Sequence, residues 1–204
     1  MPLIKFKKKN DYVYGIWKIT ESVKWLHGQA DLKNNEQDYL EKIHNTLRKK
    51  QSIAAKIILN KIANKKVHIS YDKYGAPLTK DFKNISISHS NKLSIALISE
   101  SNIGIDIQLR SSKLNIIQSK FINQNDTNSC FNSEEFLHHA WSSKEAIYKT
   151  LNGSPCSFKK NVFIKNLNTS ESLGLYKKDK QKINFKIYHE VFENYFISIA
   201  KKIT

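Results

Sequence analysis

Between Ile85 and Leu109 the chain runs through three short segments rich in β-branched residues, about 85–88, 93–98 and 103–109. Only Ser90-Asn91-Lys92 and Glu100-Ser101-Asn102 separate them. Such segments read as strands. Connectors this short can turn a hairpin, whereas parallel neighbours need a crossover of a dozen residues or more. The spacing therefore predicts antiparallel pairing. With helices grouped on either side, it points to an α+β fold rather than a parallel sheet.

The flanking segments repeat one order. Tyr12 to Ile19 is β-branched and aromatic and reads as a strand. Thr20-Glu21-Ser22 can cap a short helix carrying Val23, Trp25 and Leu26, which Gly28 would end. From Glu36 to Ala63 apolar residues recur at helical spacing, and the polar face of this long helix carries Arg48, Lys49, Lys50, Lys56 and Lys61. Val67 to Tyr71 is expected as a short strand and 72–83 as a loop. After the strand run come a helix over 113–122, a polar loop over 123–132 and a second long helix. Asn132 or Ser133 caps that helix, Glu134 and Glu135 favour its first turn, and Gly153 and Pro155 close it. Strands are expected at 162–167, 172–176, 183–189 and 195–200. Strand, helix, helix, strands thus occurs twice, and Tyr14-Gly15-Ile16-Trp17 resembles Ile103-Gly104-Ile105-Asp106. The expectation is two similar halves, 1–102 and 103–204, each a small antiparallel sheet packed with helices.

Composition narrows the function classes. With 40% apolar residues the chain can build a core and is not expected to be disordered. The formal net charge of +16 predicts attraction to polyanions: nucleic acid, anionic membrane, phosphorylated ligands or an acidic protein. Cys130 and Cys156 lack metal-ligand spacing and read as reduced thiols of a cytoplasmic protein. The basic start, Lys5 to Lys9, is not followed by an apolar run of signal-peptide length, and no stretch is long enough to span a membrane.

Three short pieces could carry chemistry. On the strand 103–109, the isoleucines at 103, 105 and 107 face one way and Gly104, Asp106 and Gln108 the other. Same-face neighbours lie about 6–7 Å apart, close enough for two oxygen-bearing side chains to share a hard cation, with Gly104 leaving room for a ligand. An Asp and a Gln on the wet face of an edge strand would look the same. In the second long helix, Trp141, Glu145 and Lys149 share a stripe. Glu145 could be a metal ligand or general base and Lys149 a phosphate partner, although a surface Glu–Lys pair has the same spacing. Third, Ser86-Ile87-Ser88-His89-Ser90 offers hydroxyls and an imidazole to phosphate oxygens, or is simply a polar strand end.

Taken together and in order, these pieces resemble the 4′-phosphopantetheinyl transferases, specifically the monomeric Sfp-type group. That pattern is a Gly-Ile/Val-Asp strand. It is followed, several tens of residues on, by an aromatic residue, Ser/Cys/Thr, any residue, Lys-Glu, Ala/Ser, two residues and Lys. Gly104-Ile105-Asp106 and Trp141-Ser142-Ser143-Lys144-Glu145-Ala146-Ile147-Tyr148-Lys149 fit every specified position, and Ser88-His89-Ser90 matches the family's Ser-His-Ser element. The resemblance implies two similar α+β halves in a monomer with the active site in the cleft between them. It implies transfer of phosphopantetheine from coenzyme A to a serine of an acyl or peptidyl carrier protein, with 3′,5′-ADP leaving. By similarity, Asp106, Glu145 and Gln108 form the Mg²⁺ site, and Glu145, or a metal-bound water beside it, deprotonates the serine. Lys149 stabilises phosphate charge, Ser88 and His89 hold the nucleotide part of coenzyme A, and Lys56 meets a coenzyme A phosphate. The implied partner is an acidic carrier protein, toward which a basic enzyme would be steered, with no role for nucleic acid or membrane.

Three departures bear on details. Many relatives carry Glu where this chain has Gln108, which is a weaker Mg²⁺ ligand. The gap from Asp106 to Trp141 is slightly short. Ala76 stands where relatives often carry Lys, and Lys73 or Lys80 could compensate. A nucleic-acid-binding protein would account for the charge and the aromatics but not for the spacing of Asp106, Glu145 and Lys149. A relative that kept binding and lost activity would account for Gln108.

Overall fold

A computed structural model describes residues 3–128, 130, 132–151, 155–168 and 170–203. The chain divides into two compact units, Met1–Ser101 and Asn102–Thr204. The first contains β1 (Leu3–Lys8), β2 (Tyr12–Lys18), α1 (Val23–Ala30), α2 (Asn34–Glu41) and α3 (Thr46–Ala63). It continues through β3 (Ser70–Tyr71), β4 (Pro77–Leu78), β5 (Asn84–Ser90) and β6 (Leu93–Ser99). Its four-stranded sheet runs β1-β2-β6-β5 and is antiparallel throughout. The second unit contains β7 (Ile103–Leu109), α4 (Lys113–Phe121), α5 (Ser133–Thr150), α6 (Phe158–Asn161), β8 (Val162–Lys165), β9 (Glu171–Lys178), β10 (Gln181–Phe192) and β11 (Tyr195–Ile203). Its five-stranded antiparallel sheet runs β7-β11-β10-β9-β8. Each unit is a sheet with helices packed on it, an α+β architecture. No helix among the described residues is long and apolar enough to cross a membrane.

Several local expectations change. β5 and β6 do form a hairpin, with Ser90 opposite Leu93 and Asn91 at φ 48°. Glu100 to Asn102 does not turn a second one. Both edges of β6 are already paired, to β2 and β5, and β7 pairs with β11 in the other sheet. The basic N-terminal stretch is an edge strand, β1. The long segment 36–63 is two helices, because Asn45 leaves helical conformation and its side chain caps α3 by accepting from the Arg48 N–H at 2.9 Å. Gly28 does not end α1, which runs on to Ala30 and stops at Asp31, φ 49°. The expected strand 67–71 shrinks to the two residues of β3, which pair with β4 inside the expected loop. Asn132 caps α5 as expected, accepting from the Glu135 N–H at 2.9 Å. The expected stop at Gly153 lies outside the described residues.

The two units repeat one internal design. In each, the long helix crosses a glycine of the strand beneath. A Cβ on Gly15 of β2 would lie 2.9 Å from Ile58 Cγ2 of α3, and one on Gly104 of β7 would lie 2.0 Å from the Ala146 carbonyl oxygen of α5. Gly15 pairs with Ala96 and Trp17 with Ser94, while Gly104 pairs with Ala200 and Asp106 with Ser198. Two residues before the helical contact point sits a buried lysine. Lys56 donates to Glu36 Oε1 at 2.7 Å and to the Val67 carbonyl, and the same Oε1 accepts the Ile69 N–H at 3.1 Å. Lys144 donates to Asp126 Oδ2 at 2.6 Å and to the Val162 carbonyl at 2.8 Å, and Asp126 Oδ1 accepts the Ile164 N–H at 2.8 Å. Helix, acid and incoming strand are thus fastened in the same way twice.

Candidate active site

β7 is an edge strand, but its polar face is not wet. α5 lies directly on it, and the space left by Gly104 is filled by the Ala146 carbonyl and the Lys149 Cβ rather than kept for a ligand. That close approach brings the end of α5 over Asp106. Lys149 Nζ donates to Asp106 Oδ1 at 2.8 Å and to the Ile105 carbonyl at 2.9 Å. Asp106 is buried and the Lys149 side chain is 24% exposed. Ile103, Ile105 and Ile107 are buried, as the alternation required.

Glu145 is half-buried one turn before Lys149. Burial, helped by the negative charge of Asp106 and opposed by Lys149, pushes its carboxyl up to about 7. The two carboxylates therefore feel each other in a poorly solvated setting. Gln108 is half-buried, and its amide N–H₂ donates to the Leu109 carbonyl at 3.0 Å. Among the described residues no cluster of three or more His, Cys, Asp or Glu forms a ready metal cage. The donors the site offers are oxygens: the carboxylates of Asp106 and Glu145, with the Gln108 amide on the same face of β7 as Asp106. That set fits a small hard cation that keeps several waters, and the ammonium on Asp106 marks where positive charge is favoured.

Two other members of the helical motif are structural. Trp141 packs edge-on against Phe121 and Phe158, with centroids 5.0 and 5.7 Å away. Lys144 is fully buried, and besides Asp126 and Val162 it donates to the Phe121 carbonyl at 2.7 Å. Burial lowers its pKa and Asp126 opposes that shift.

In the first unit Ser86 and Ser88 are buried on β5. His89 follows Ser88 on the same strand, so the two side chains leave β5 on opposite faces. Lys56 differs from the expectation of an anion-facing lysine: it is 2% exposed, and its ammonium is turned inward to Glu36. An i,i+4 reading of α3 puts it on the polar face, because its acid partner, 20 residues away, is invisible to local periodicity.

Sequence reasoning missed a polar row beneath α5. Ser172, His189 and Ser198 are buried on successive strands. His189 Nε2 lies 2.7 Å from Ser172 Oγ and its Nδ1 3.3 Å from Ser198 Oγ, which meets Ser142 Oγ at 2.7 Å. Ser198 stands directly opposite Asp106 in the sheet. Burial holds His189 down to about 3 and the adjacent His139 to about 4, so both are neutral. The three row residues lie on three different strands, and nothing local to any of them signals that they align. His138 was missed as well: its Nε2 accepts the Ser111 N–H at 2.8 Å and its Nδ1 donates to the Glu134 carbonyl at 2.8 Å, fixing the start of α4 against α5. No protein-family model matches this chain, and no curated protein matches it.

Proposed function

We propose that the chain is a 4′-phosphopantetheinyl transferase that moves phosphopantetheine from coenzyme A to a serine of an acidic carrier protein. One observation carries the reading. Two motif pieces 43 residues apart in the chain meet where Lys149 Nζ reaches Asp106 Oδ1 at 2.8 Å, with Glu145 on the same stripe of α5. A buried strand acid joined to a helical Glu–Lys pair is the arrangement that the motif requires and that a chance surface pair would lack.

Asp106 and Glu145 would hold Mg²⁺, with the Gln108 amide oxygen contributing directly or through water. Bound there, the ion would neutralise diphosphate charge and make the phosphorus a better electrophile. The rest falls to the chain. Glu145 accepts the proton of the carrier serine as the serine oxygen bonds to phosphorus. The bond from that phosphorus to the bridging oxygen breaks, and 3′,5′-ADP leaves with the electron pair. Lys149 sets a fixed positive charge beside the developing negative charge, where a preorganised donor is worth most. The roles of Ser88 and His89 toward the nucleotide rest on the resemblance alone. Lys56, held by Glu36, is left out of the set. A cytoplasmic monomer belongs to the same proposal, and the free thiols of Cys130 and Cys156 agree with a reducing compartment.

The test is intact-protein mass spectrometry of an apo acyl carrier protein incubated with this protein, coenzyme A and Mg²⁺. The expected result is a gain of one phosphopantetheine that EDTA abolishes. No gain on fatty-acid, polyketide or peptidyl carriers would overturn the reading.

A further inference from the structure

The polar row beneath α5 has a direction. Ser172, His189, Ser198, Ser142 and Ser143 are all buried, so each polar hydrogen among them needs an acceptor. One end of the row is a fixed donor: the Asn168 N–H donates to Ser172 Oγ at 3.4 Å. The other end is a fixed acceptor: Ser142 Oγ donates to the His139 carbonyl at 3.3 Å. His189 between them is neutral and carries a single ring proton. One arrangement satisfies every member. Ser172 O–H donates to His189 Nε2 at 2.7 Å, and His189 Nδ1–H donates to Ser198 Oγ at 3.3 Å. Ser198 O–H then donates to Ser142 Oγ at 2.7 Å, while Ser143 O–H donates to the second lone pair of Ser198 at 3.3 Å. With the other tautomer Ser172 would accept from both the Asn168 N–H and Nε2–H, and its own hydrogen would find no acceptor within the row.

Ser142 has no part in the steps above, yet it stands three residues before Glu145 on α5. Ser198 stands directly opposite Asp106 in the sheet. The Ser198–Ser142 bond therefore joins the two backbones that carry the acids, close to both. Apolar contacts under a helix tolerate a small slide or roll. A directed bond between two buried hydroxyls does not, and an offset of about 1 Å at a reacting group can cost about 10²-fold in rate. We propose that His189 is a positioning residue for the transfer: as the Nδ1–H tautomer it turns the Ser198 hydroxyl onto Ser142 and so holds Glu145 in register with Asp106. The reaction named there rests on the transferase reading. The direction of the row does not.

The first measurement is the tautomer. A long-range ¹H–¹⁵N correlation spectrum of the full-length protein, labelled with ¹⁵N-histidine, is recorded at neutral pH, and the His189 signals are those lost in His189→Asn. The Nδ1–H form is expected. The Nε2–H form, or exchange between the two, would overturn the proposal. The second measurement is steady-state transfer. His189→Leu and Ser142→Ala, each checked for native circular dichroism, should lower kcat at least about tenfold with KM for coenzyme A within about twofold of the parent. His189→Asn, whose amide nitrogen can take the place of Nδ1, should recover most of that kcat although it loses the Ser172 bond as fully as leucine does. A merely structural row would make kcat follow stability and treat the two alike. Equal losses in His189→Leu and His189→Asn would therefore count against positioning, as would parental kcat in Ser142→Ala, which decides the matter even where His189→Leu fails to fold. The two claims fail differently. A parent protein that modifies the carrier, with variants that do so equally well, removes the positioning role and leaves the transferase. A parent protein that modifies no carrier removes the reaction and His189's part in it, and leaves only the Nδ1–H tautomer standing.

Discussion

Lys56 and Lys144 are the same residue used twice. Each is buried in the long helix of its unit, each is bound to one carboxylate and to the carbonyl of a valine, and each carboxylate also holds the N–H two residues beyond that valine. A buried ion pair contributes little net stability compared with an apolar replacement, but breaking one side is costly. Lys144→Met and Lys56→Met are each expected to cost about 3–5 kcal/mol. Joint replacement of both partners, Lys56→Met with Glu36→Gln, should recover part of that loss, since Gln keeps an acceptor for the Ile69 N–H. Urea denaturation of the single and double variants checks this. Equal losses in the single and double variants would argue against the latch.

Gly104 and Gly15 predict a graded pair of effects. Alanine at 104 drives a Cβ into the Ala146 carbonyl at 2.0 Å, which is helix backbone and cannot yield without moving α5. Alanine at 15 meets side chains alone, the Ile58 Cγ2 methyl at 2.9 Å, Leu3 Cδ1 at 3.1 Å and Ile62 Cγ2 at 3.3 Å, which can shift more readily than helix backbone. Gly104→Ala should cost about 3 kcal/mol or more and Gly15→Ala about 1 kcal/mol, from the usual range for overpacking. Thermal denaturation of the two variants side by side decides it. A Gly15→Ala loss equal to or larger than that of Gly104→Ala would contradict the packing.

The buried histidines predict an acid limb. Folding holds His189 at about 3 and His139 at about 4, against the ordinary 6.5 in the unfolded chain. Between these values the unfolded chain binds more protons, so stability is full above about pH 6.5 and falls as pH drops toward 4. The loss should be about 3 kcal/mol from each histidine by pH 4. His139→Phe, set among the rings of His189 and Phe196, should flatten this limb while leaving stability at pH about 8 within about 1 kcal/mol. Chemical denaturation at a series of pH values is the measurement. A limb as steep as in the parent protein would show that other groups cause it.

Glu145→Gln should abolish phosphopantetheine transfer, by a factor of at least about 10²–10⁴ for loss of a general base, and leave the fold intact. The mass-spectrometric assay and a thermal melt, run on one preparation, separate the two effects. Normal turnover would remove Glu145 from the proposed mechanism.

What the sequence disclosed followed locality. The cap at Asn132, the stripe of Trp141, Glu145 and Lys149, and the alternation of Ile103, Ile105 and Ile107 with Asp106 are all written within a few residues, and each has its counterpart in α5 or β7. The hairpin at Asn91 is equally legible. The matching expectation at Glu100 to Asn102 fails because strand choice is settled by β2 and β11, one far upstream and one far downstream. Lys56 departs from its expected place for a related reason. Side-chain type places a lysine outside, and only Glu36 together with the Val67 carbonyl draws it in. β1 is hidden by its composition: lysines alternate with Leu3, Ile4 and Phe6 irregularly enough to resemble a basic tail.

The paired glycines have a consequence for how such a chain can change. Two positions beyond Gly15 stands Trp17, and two beyond Gly104 stands Asp106, while Ile57 follows Lys56 as Glu145 follows Lys144. The fastening of each helix to its sheet is independent of what occupies those neighbouring places. The two units share the fastening and differ beside it: Trp17 and Ile57 lie in the apolar core of the first unit, where the second carries Asp106 and Glu145. Acids at Trp17 and Ile57 would bury unpaired charge in that core, so turning one pattern into the other requires the apolar residues around them to change as well.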